Sequence, residues 1–248
     1  MLLAGEIELA GTPTRALKPG QQVASDAQLV VRQHPRWASR AGSKLEAALE
    51  QFGVDPRGAA CLDAGASTGG FTDVLLARGA RVVYAVDVGR AQLLDRLRRD
   101  SRVVSMERTN LRELRALPEA IDLATLDLSF ISLRLVLPAV LGLLTDAGRV
   151  IALVKPQFEA GREAVPRGGV VRNAEVHRDV LLRFGEDAAR IGFAPARLIR
   201  SPIPGGEGNL EFLVLLDRQI AATPVEWGEL VGGLIDRASP AAQHDARV

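Results

Sequence analysis

The stretch CLDAGASTGGFTDVLLARGARVVYAVDVG, Cys61 to Gly89, constrains this chain more than any other. It reads as a short apolar strand, a glycine-rich turn, a helix, a second apolar strand and an acid, Asp87. That is the opening unit of a Rossmann-like sheet. In such a unit the turn lets backbone approach a ligand, and an acid roughly twenty residues on grips a ribose. The turn GASTGG, Gly65 to Gly70, is not the GxGxxG of dinucleotide sites, and Asp63 closes the first strand just before it. A dinucleotide offers that acid no cation. S-adenosylmethionine does, through its sulfonium and its amino-acid ammonium, and it has no pyrophosphate. The unit therefore points to a methyl-transferring enzyme.

The rest of the chain alternates in the same way. Strands are expected at 59–63, 81–87, 102–107, 121–127, 148–155, 194–201 and 210–216, and helices at 70–78, 90–99, 132–144 and 174–191. An earlier segment, SRAGSKLEAALEQF over 39–52, places Leu45, Leu49 and Phe52 at helical spacing. Ser39 is the candidate cap of that helix and Asn173 of the helix at 174–191. Alternation of this kind makes a parallel sheet with helices on both faces and a ligand beyond the carboxyl ends of the strands. The expected fold is α/β: a Rossmann-like, S-adenosylmethionine-dependent methyltransferase domain, its seven-stranded sheet mostly parallel with the last strand antiparallel. Residues 1–32 read as strand, turn, strand, and residues 217–248 as a short helix near 225–237 and a polar tail. The basic, glycine-punctuated stretch 156–172 has the length of a functional loop.

Composition narrows the classes. Apolar residues make up 47% of the 248, which excludes general disorder. The net charge is +1, so any affinity for nucleic acid must come from local patches. The single Cys61 allows no intrachain disulfide and fits a reducing compartment. His34, His177 and His244 are scattered and, with one cysteine, make no metal constellation. The sequence contains neither a signal-peptide pattern nor an apolar run long enough to span a bilayer. A cytoplasmic protein without metal or membrane partner is expected.

Four residues could carry the chemistry. Asp127 closes the strand in TLDLSF, and Lys155 closes that in IALVKPQF. A lysine ending an apolar strand is costly to bury unless it is paired. Glu211 sits in GNLEFLVLL near the start of the last strand, and Lys44 lies on the early helix one turn after Arg40. If the last strand runs antiparallel, its start meets the carboxyl ends of the others, and two lysines and two acids converge. Each has a plainer reading. Lys155 and Asp127 would make a structural ion pair, Glu211 a strand-edge charge, and Lys44 a solvated helix residue. Cys61 reads as core filler and His177 as a surface helix residue. RNA crossing the sheet edge would meet Lys18, Arg36, Arg40, Arg162, Arg167 and Arg172.

The strings SRAGSKLEAAL, LDAGASTGGFTDVLL, YAVDVG, MERTN, LDLSFISL, VKPQFEAGRE, GGVVRN and GGEGNLEFL, in order over residues 3 to 216, resemble the TlyA family of rRNA methyltransferases. These are similar in turn to the FtsJ-type 2'-O-ribose methyltransferases. The resemblance implies a Lys–Asp–Lys–Glu catalytic set at Lys44, Asp127, Lys155 and Glu211. It implies S-adenosyl-L-methionine held by Asp63, Gly65, Ser67, Thr68, Gly69, Gly70, Phe71, Asp87 and Glu107. It implies rRNA within ribosomal subunits as partner, with methylation of cytidine ribose 2'-hydroxyls in 23S and, in some members, 16S rRNA. Family members open with a small RNA-binding domain resembling a ribosomal small-subunit protein. Here only its last part is recognisable. The expected division is thus a remnant of that domain at 1–32, an FtsJ-like methyltransferase domain at 33–217, and a C-terminal helix and tail at 218–248.

Three other readings compete. A catalytically inactive, RNA-binding relative would lack the lysine set, which is whole here. An exocyclic-amine methyltransferase would need an Asn/Asp-Pro-Pro-aromatic turn, and Asp127-Leu-Ser-Phe130 has no proline. A membrane-active hemolysin, the name some relatives carry, would need an amphipathic membrane segment that the sequence does not show. The role of Lys155 stays open between a neutral base and a charged group that stabilises an alkoxide.

Overall fold

The computed structural model describes residues 7–9, 24, 27–31, 36–90, 92–218 and 224–237. The chain divides into two units, Met1–Arg36 and Trp37–Val248. In the first, β1 (Ile7–Leu9) pairs antiparallel with β2 (Leu29–Val31).

The second unit is built on seven strands: β3 (Ala60–Ala64), β4 (Val82–Val86), β5 (Val103–Met106), β6 (Ile121–Leu126), β7 (Leu144–Val154), β8 (Phe193–Arg200) and β9 (Phe212–Arg218). Their order in space is β5-β4-β3-β6-β7-β9-β8. The first five pair in parallel. The last strand, β9, runs antiparallel to both of its neighbours, β7 and β8, as expected. The reversal brings the start of β9 to the carboxyl ends of the parallel strands.

Among the described residues, seven α-helices accompany the sheet: α1 (Ala41–Phe52), α2 (Gly70–Ala77), α3 (Asp95–Arg98), α4 (Leu137–Leu143), α5 (Pro156–Glu159), α6 (Ala174–Ile191) and α7 (Pro224–Arg237). Strand alternation sorts the core into two layers. Leu45, Leu49, Val74 and Leu75 of α1 and α2 cover Cys61, Leu123, Ile151, Leu153 and Leu213 on one face. On the other, Leu137, Val140, Leu181, Phe184, Trp227 and Val231 of α4, α6 and α7 cover Leu62, Leu126, Ala152, Val154 and Phe212. Both faces of the central strands are therefore apolar, and polar side chains collect at the strand ends.

Several local expectations are corrected. The helix expected over 90–99 forms only at Asp95–Arg98. Asp87 Oδ1 accepts the Gly89 N–H at 2.7 Å, a turn that bends the chain where that helix would begin. The helix expected over 132–144 is a 3-10 turn at Leu133–Leu135 followed by α4, and Leu144 already pairs with Ile121 as the first residue of β7. Arg40, not Ser39, holds the cap position of α1; the Ser39 hydroxyl accepts the Ala41 N–H at 3.3 Å. Asn173 caps α6 as expected, accepting the Glu175 N–H at 2.9 Å. His177 is not a surface residue. It is buried edge-on against Phe212, with Nε2 3.0 Å from the Val171 carbonyl oxygen.

Candidate active site

Strand alternation carried one step past the strand ends puts Asp127, Lys155 and Glu211 on the face that α1 and α2 cover, the same face as Asp63, whose partner across β6 is Thr125. Val154 lies opposite Phe212, so Lys155 and Glu211 flank one another where β7 ends and β9 begins. Asp127 follows β6 directly, its N–H bonded to the Ala64 carbonyl at 2.9 Å. Lys44 reaches in from α1. Across the sheet edge the order is Asp63, Asp127, Lys155, Glu211, Lys44.

The lysines are buried and each meets an acid. Lys155 Nζ lies 2.7 Å from Asp127 Oδ1 and donates to Ser129 Oγ at 3.0 Å. Lys44 Nζ donates to Glu211 Oε2, and both residues are buried. Such pairing offsets the cost of taking an ammonium out of water, and it also makes either partner alone expensive. Glu211 lies against Gly205, where a Cβ would fall 2.1 Å from its Oε1. The plainer readings of Lys44 and Glu211 as solvated charges do not hold.

Beside this row lies a cavity of about 500 Å³ whose walls include Gly65, Ser67, Asp87, Gln92, Asn110 and Asp127. That volume suits a small-molecule ligand. Gly65 has φ +84, and a Cβ there would sit 2.4 Å from the Asp127 carbonyl oxygen. Only glycine lets the end of β3 pass the end of β6 so closely. Ser67 is also left-handed, at φ 47, and its N–H donates to Asp87 Oδ2 at 2.9 Å. Asp87 is thereby fixed as part of the wall.

The remaining expected ligands lie further back. Asp63 is fully buried beneath the turn, taking the Thr72 hydroxyl at 2.5 Å with the Thr125 hydroxyl at 3.4 Å. Burial pushes this acid up to about 7; the Thr72 hydrogen bond opposes the rise and the Asp127 charge adds to it. Phe71 is buried in the core. A Cβ on Gly69 would meet Leu97, and one on Gly70 would meet Ser39, so these glycines serve packing. The Thr68 carbonyl accepts from Leu94 N–H at 3.3 Å, and Glu107 Oε1 accepts from Gln92 N–H at 3.1 Å. Among the basic residues, Arg40, Arg167 and Arg172 are exposed; Arg36, also exposed, belongs to the first unit. Lys18 and the side chain of Arg162 lie outside the described residues.

Sequence reasoning passed over Ser129, Phe130, Phe158 and Glu159. Phe130 is 91% exposed at φ 63, and its ring is 5.0 Å from that of Phe158. A second cavity of about 700 Å³ borders this pair and Gln157. The signal was present in the SF after Asp127 and the QF after Lys155, but an aromatic beside a charged residue reads as core.

Residues 37–218 match the FtsJ-like methyltransferases. The chain belongs to that family. It is 45% identical over 90% of its length to the 16S/23S rRNA (cytidine-2'-O)-methyltransferase TlyA of Mycobacterium tuberculosis, covering 85% of that protein. It is 37% identical over 86% of its length to a Brachyspira hyodysenteriae protein named hemolysin A, covering 89% of it. A solved structure described as a candidate hemolysin from Streptococcus thermophilus superposes with a TM-score of 0.79 at 40% identity, over 98% of this chain and 90% of that one. The TlyA resemblance read from the motifs is thus confirmed, and the chain is a methyltransferase that uses S-adenosylmethionine. The cavity fits that cofactor. Its Gly65 approach excludes any side chain, and its wall carries a fixed acid, Asp87. No group of side chains among the described residues could hold a metal ion, and no described helix is long and apolar enough to cross a membrane.

Proposed function

We propose that this methyltransferase acts on the ribose 2'-hydroxyl of cytidine in rRNA, in 23S and, as in some family members, 16S, within ribosomal subunits in the cytoplasm. One observation carries the reading: both lysines of the set are buried and paired with acids at the sheet edge, next to the cavity. Relatives sharing 45% of the sequence carry that activity in their names.

Bound in the cavity, S-adenosylmethionine supplies a methyl group already activated by its sulfonium. Asp87 would hold the ribose and the Gly65–Ser67 turn the amino-acid end. The protein's remaining task is to align the 2'-oxygen and remove its proton, and alignment alone contributes on the order of 7–11 kcal/mol. Lys155 Nζ commits two of its N–H groups to Asp127 and Ser129, which leaves the third for the 2'-oxygen. In its charged form it would stabilise a forming alkoxide. An ammonium takes no further proton unless it gives one up, and Asp127 Oδ1 at 2.7 Å is placed to receive it. Glu211 and Lys44 would fix the ribose on the far side. Exposed Phe130 offers a ring on which a base stacks, and Arg40, Arg167 and Arg172 offer charge to phosphates. Residues 1–32 would belong to a small RNA-binding domain.

The test is transfer of labelled methyl from S-adenosylmethionine to ribosomal subunits that lack the modification. Nuclease digests should contain 2'-O-methylcytidine, and Lys155→Ala should abolish it while still binding cofactor. Label on a base, or none in either subunit, sinks the reading.

A further inference from the structure

Asp127 and Lys155 meet although the segments that carry them part company. β6 and β7 pair up to Leu126 and Ala152, where β6 ends, and β7 runs on to Val154 against β9 alone. The chain beyond Asp127 runs through Ser129 and Phe130 into the 3-10 turn at Leu133, and that beyond Lys155 runs into the single turn of α5. Among the described residues no main-chain hydrogen bond joins the two segments. Side chains alone hold them together.

Lys155 reaches across to Asp127 and Ser129, Phe158 meets Phe130, and Glu159 adds a second pair of bonds. Its Oε2 accepts the Ser132 hydroxyl at 2.6 Å, and its Oε1 accepts the Leu133 main-chain N–H at 2.8 Å. Ser132 stands at the cap position of the 3-10 turn and makes no capping bond of its own. Glu159 therefore caps that turn from the neighbouring segment, and Leu133 behind it is anchored in the core. Arg134 and Asp187 are the other charges that act on this carboxylate. Glu159 is thus a brace four residues past Lys155, tied to a turn that begins six residues past Asp127.

We propose that Glu159 is a positioning residue for Lys155: by bridging the two segments it fixes the distance at which Nζ meets Asp127 and Ser129 together. The proposal rests on the reading that Lys155 serves the 2'-oxygen. Without the brace the segments separate, Lys155 keeps Asp127 at a variable distance, and its third N–H loses its direction. Glutamine at this position would restore the bridge. Its amide oxygen accepts the Leu133 N–H, and its NH2 donates to Ser132 Oγ.

The experiment compares Glu159→Ala, Glu159→Gln and the milder Ser132→Ala in the full chain. The alanine variant should lose about tenfold or more in kcat, with KM for RNA and Kd for S-adenosylmethionine within about twofold. The glutamine variant should recover most of the loss. The pH dependence of kcat should move in Glu159→Ala and return in Glu159→Gln, which mere loss of folded protein would not produce. A second readout needs no RNA: competitive acylation of the Lys155 amine followed over pH by peptide mass spectrometry, which should change in the same order across the variants. If Glu159→Ala fails to fold, Ser132→Ala should show a smaller version of both shifts. Wild-type kcat and labelling in a folded Glu159→Ala, or equal losses in the alanine and glutamine variants with an unmoved pH profile, overturn the brace. Wild-type protein that labels as expected yet methylates no RNA overturns the substrate reading instead.

Discussion

At the scale of the residue, the informative positions are charged groups held where water does not reach. Lys155 was legible because a lysine at a buried strand end demands an acid, and Lys44 only through the family resemblance; Asp127 and Glu211 are the acids they meet. Asp63 was legible as an acid at a strand end, but its depth was not. Whether such a group faces the ligand or the core depends on how closely α2 packs, and periodicity does not report that. Its position gives a pH prediction. Folded Asp63 holds its proton up to about 7, whereas its ordinary value is 3.8. Between those values the folded state binds more protons than the unfolded one, so its contribution to stability falls as pH rises through that window. The decline is on the order of 4 kcal/mol and is complete above the folded value. Asp63→Asn keeps an acceptor for Thr72 and removes the titration. The stability of the natural protein relative to this variant, from urea melts, should drop between about pH 4 and 7 and stay level above. A flat difference would mean that Asp63 is ionised throughout.

At the scale of the element, regular pieces were legible and the bends that build the site were not. All seven strands of the sheet and the long helix α6 follow from apolar periodicity and the Asn173 cap. The helix expected over 90–99 shrank to α3 because Asp87 spends its carboxylate on the backbone of Ser67 and Gly89. A tertiary demand for a fixed acid overrode the helical pattern of Leu93, Leu94 and Leu97. On the proposed reading, cofactor binding depends on the turn after β3. Gly65→Ala adds a methyl 2.4 Å from the Asp127 carbonyl oxygen at a φ of +84, so both sterics and backbone oppose it. The expected result is a loss of at least about tenfold in affinity for S-adenosylmethionine by calorimetry, together with a stability loss of about 1–3 kcal/mol. Affinity equal to the natural protein's would place the cofactor elsewhere.

At the scale of the whole molecule, two properties arise from parts far from the chemistry. The first is the layer that α7 adds beyond the family match at 37–218. Trp227 lies buried against Gly185, where a Cβ would clash with its ring, and its Nε1–H donates to the Leu181 carbonyl at 2.9 Å. Trp227→Ala should cost about 3–5 kcal/mol in a denaturant melt, because the cavity left cannot fill. At low temperature the folded fraction should keep its kcat, since α7 packs on the face opposite the lysine row. The second is charge. With a net charge of +1 the molecule has no long-range pull on RNA, so affinity must be gathered from a few local cations. Each phosphate contact contributes about 0.7–0.9 to the slope of log affinity against log salt. Replacing exposed Arg167 and Arg172 together by alanine should make that slope shallower by roughly 1.4–1.8 and weaken RNA binding most at low salt. Kd for S-adenosylmethionine should not change, because neither residue lines the cofactor cavity. An unchanged slope with intact methyl transfer would show that RNA enters along a different edge and leave these arginines as ordinary solvated charges.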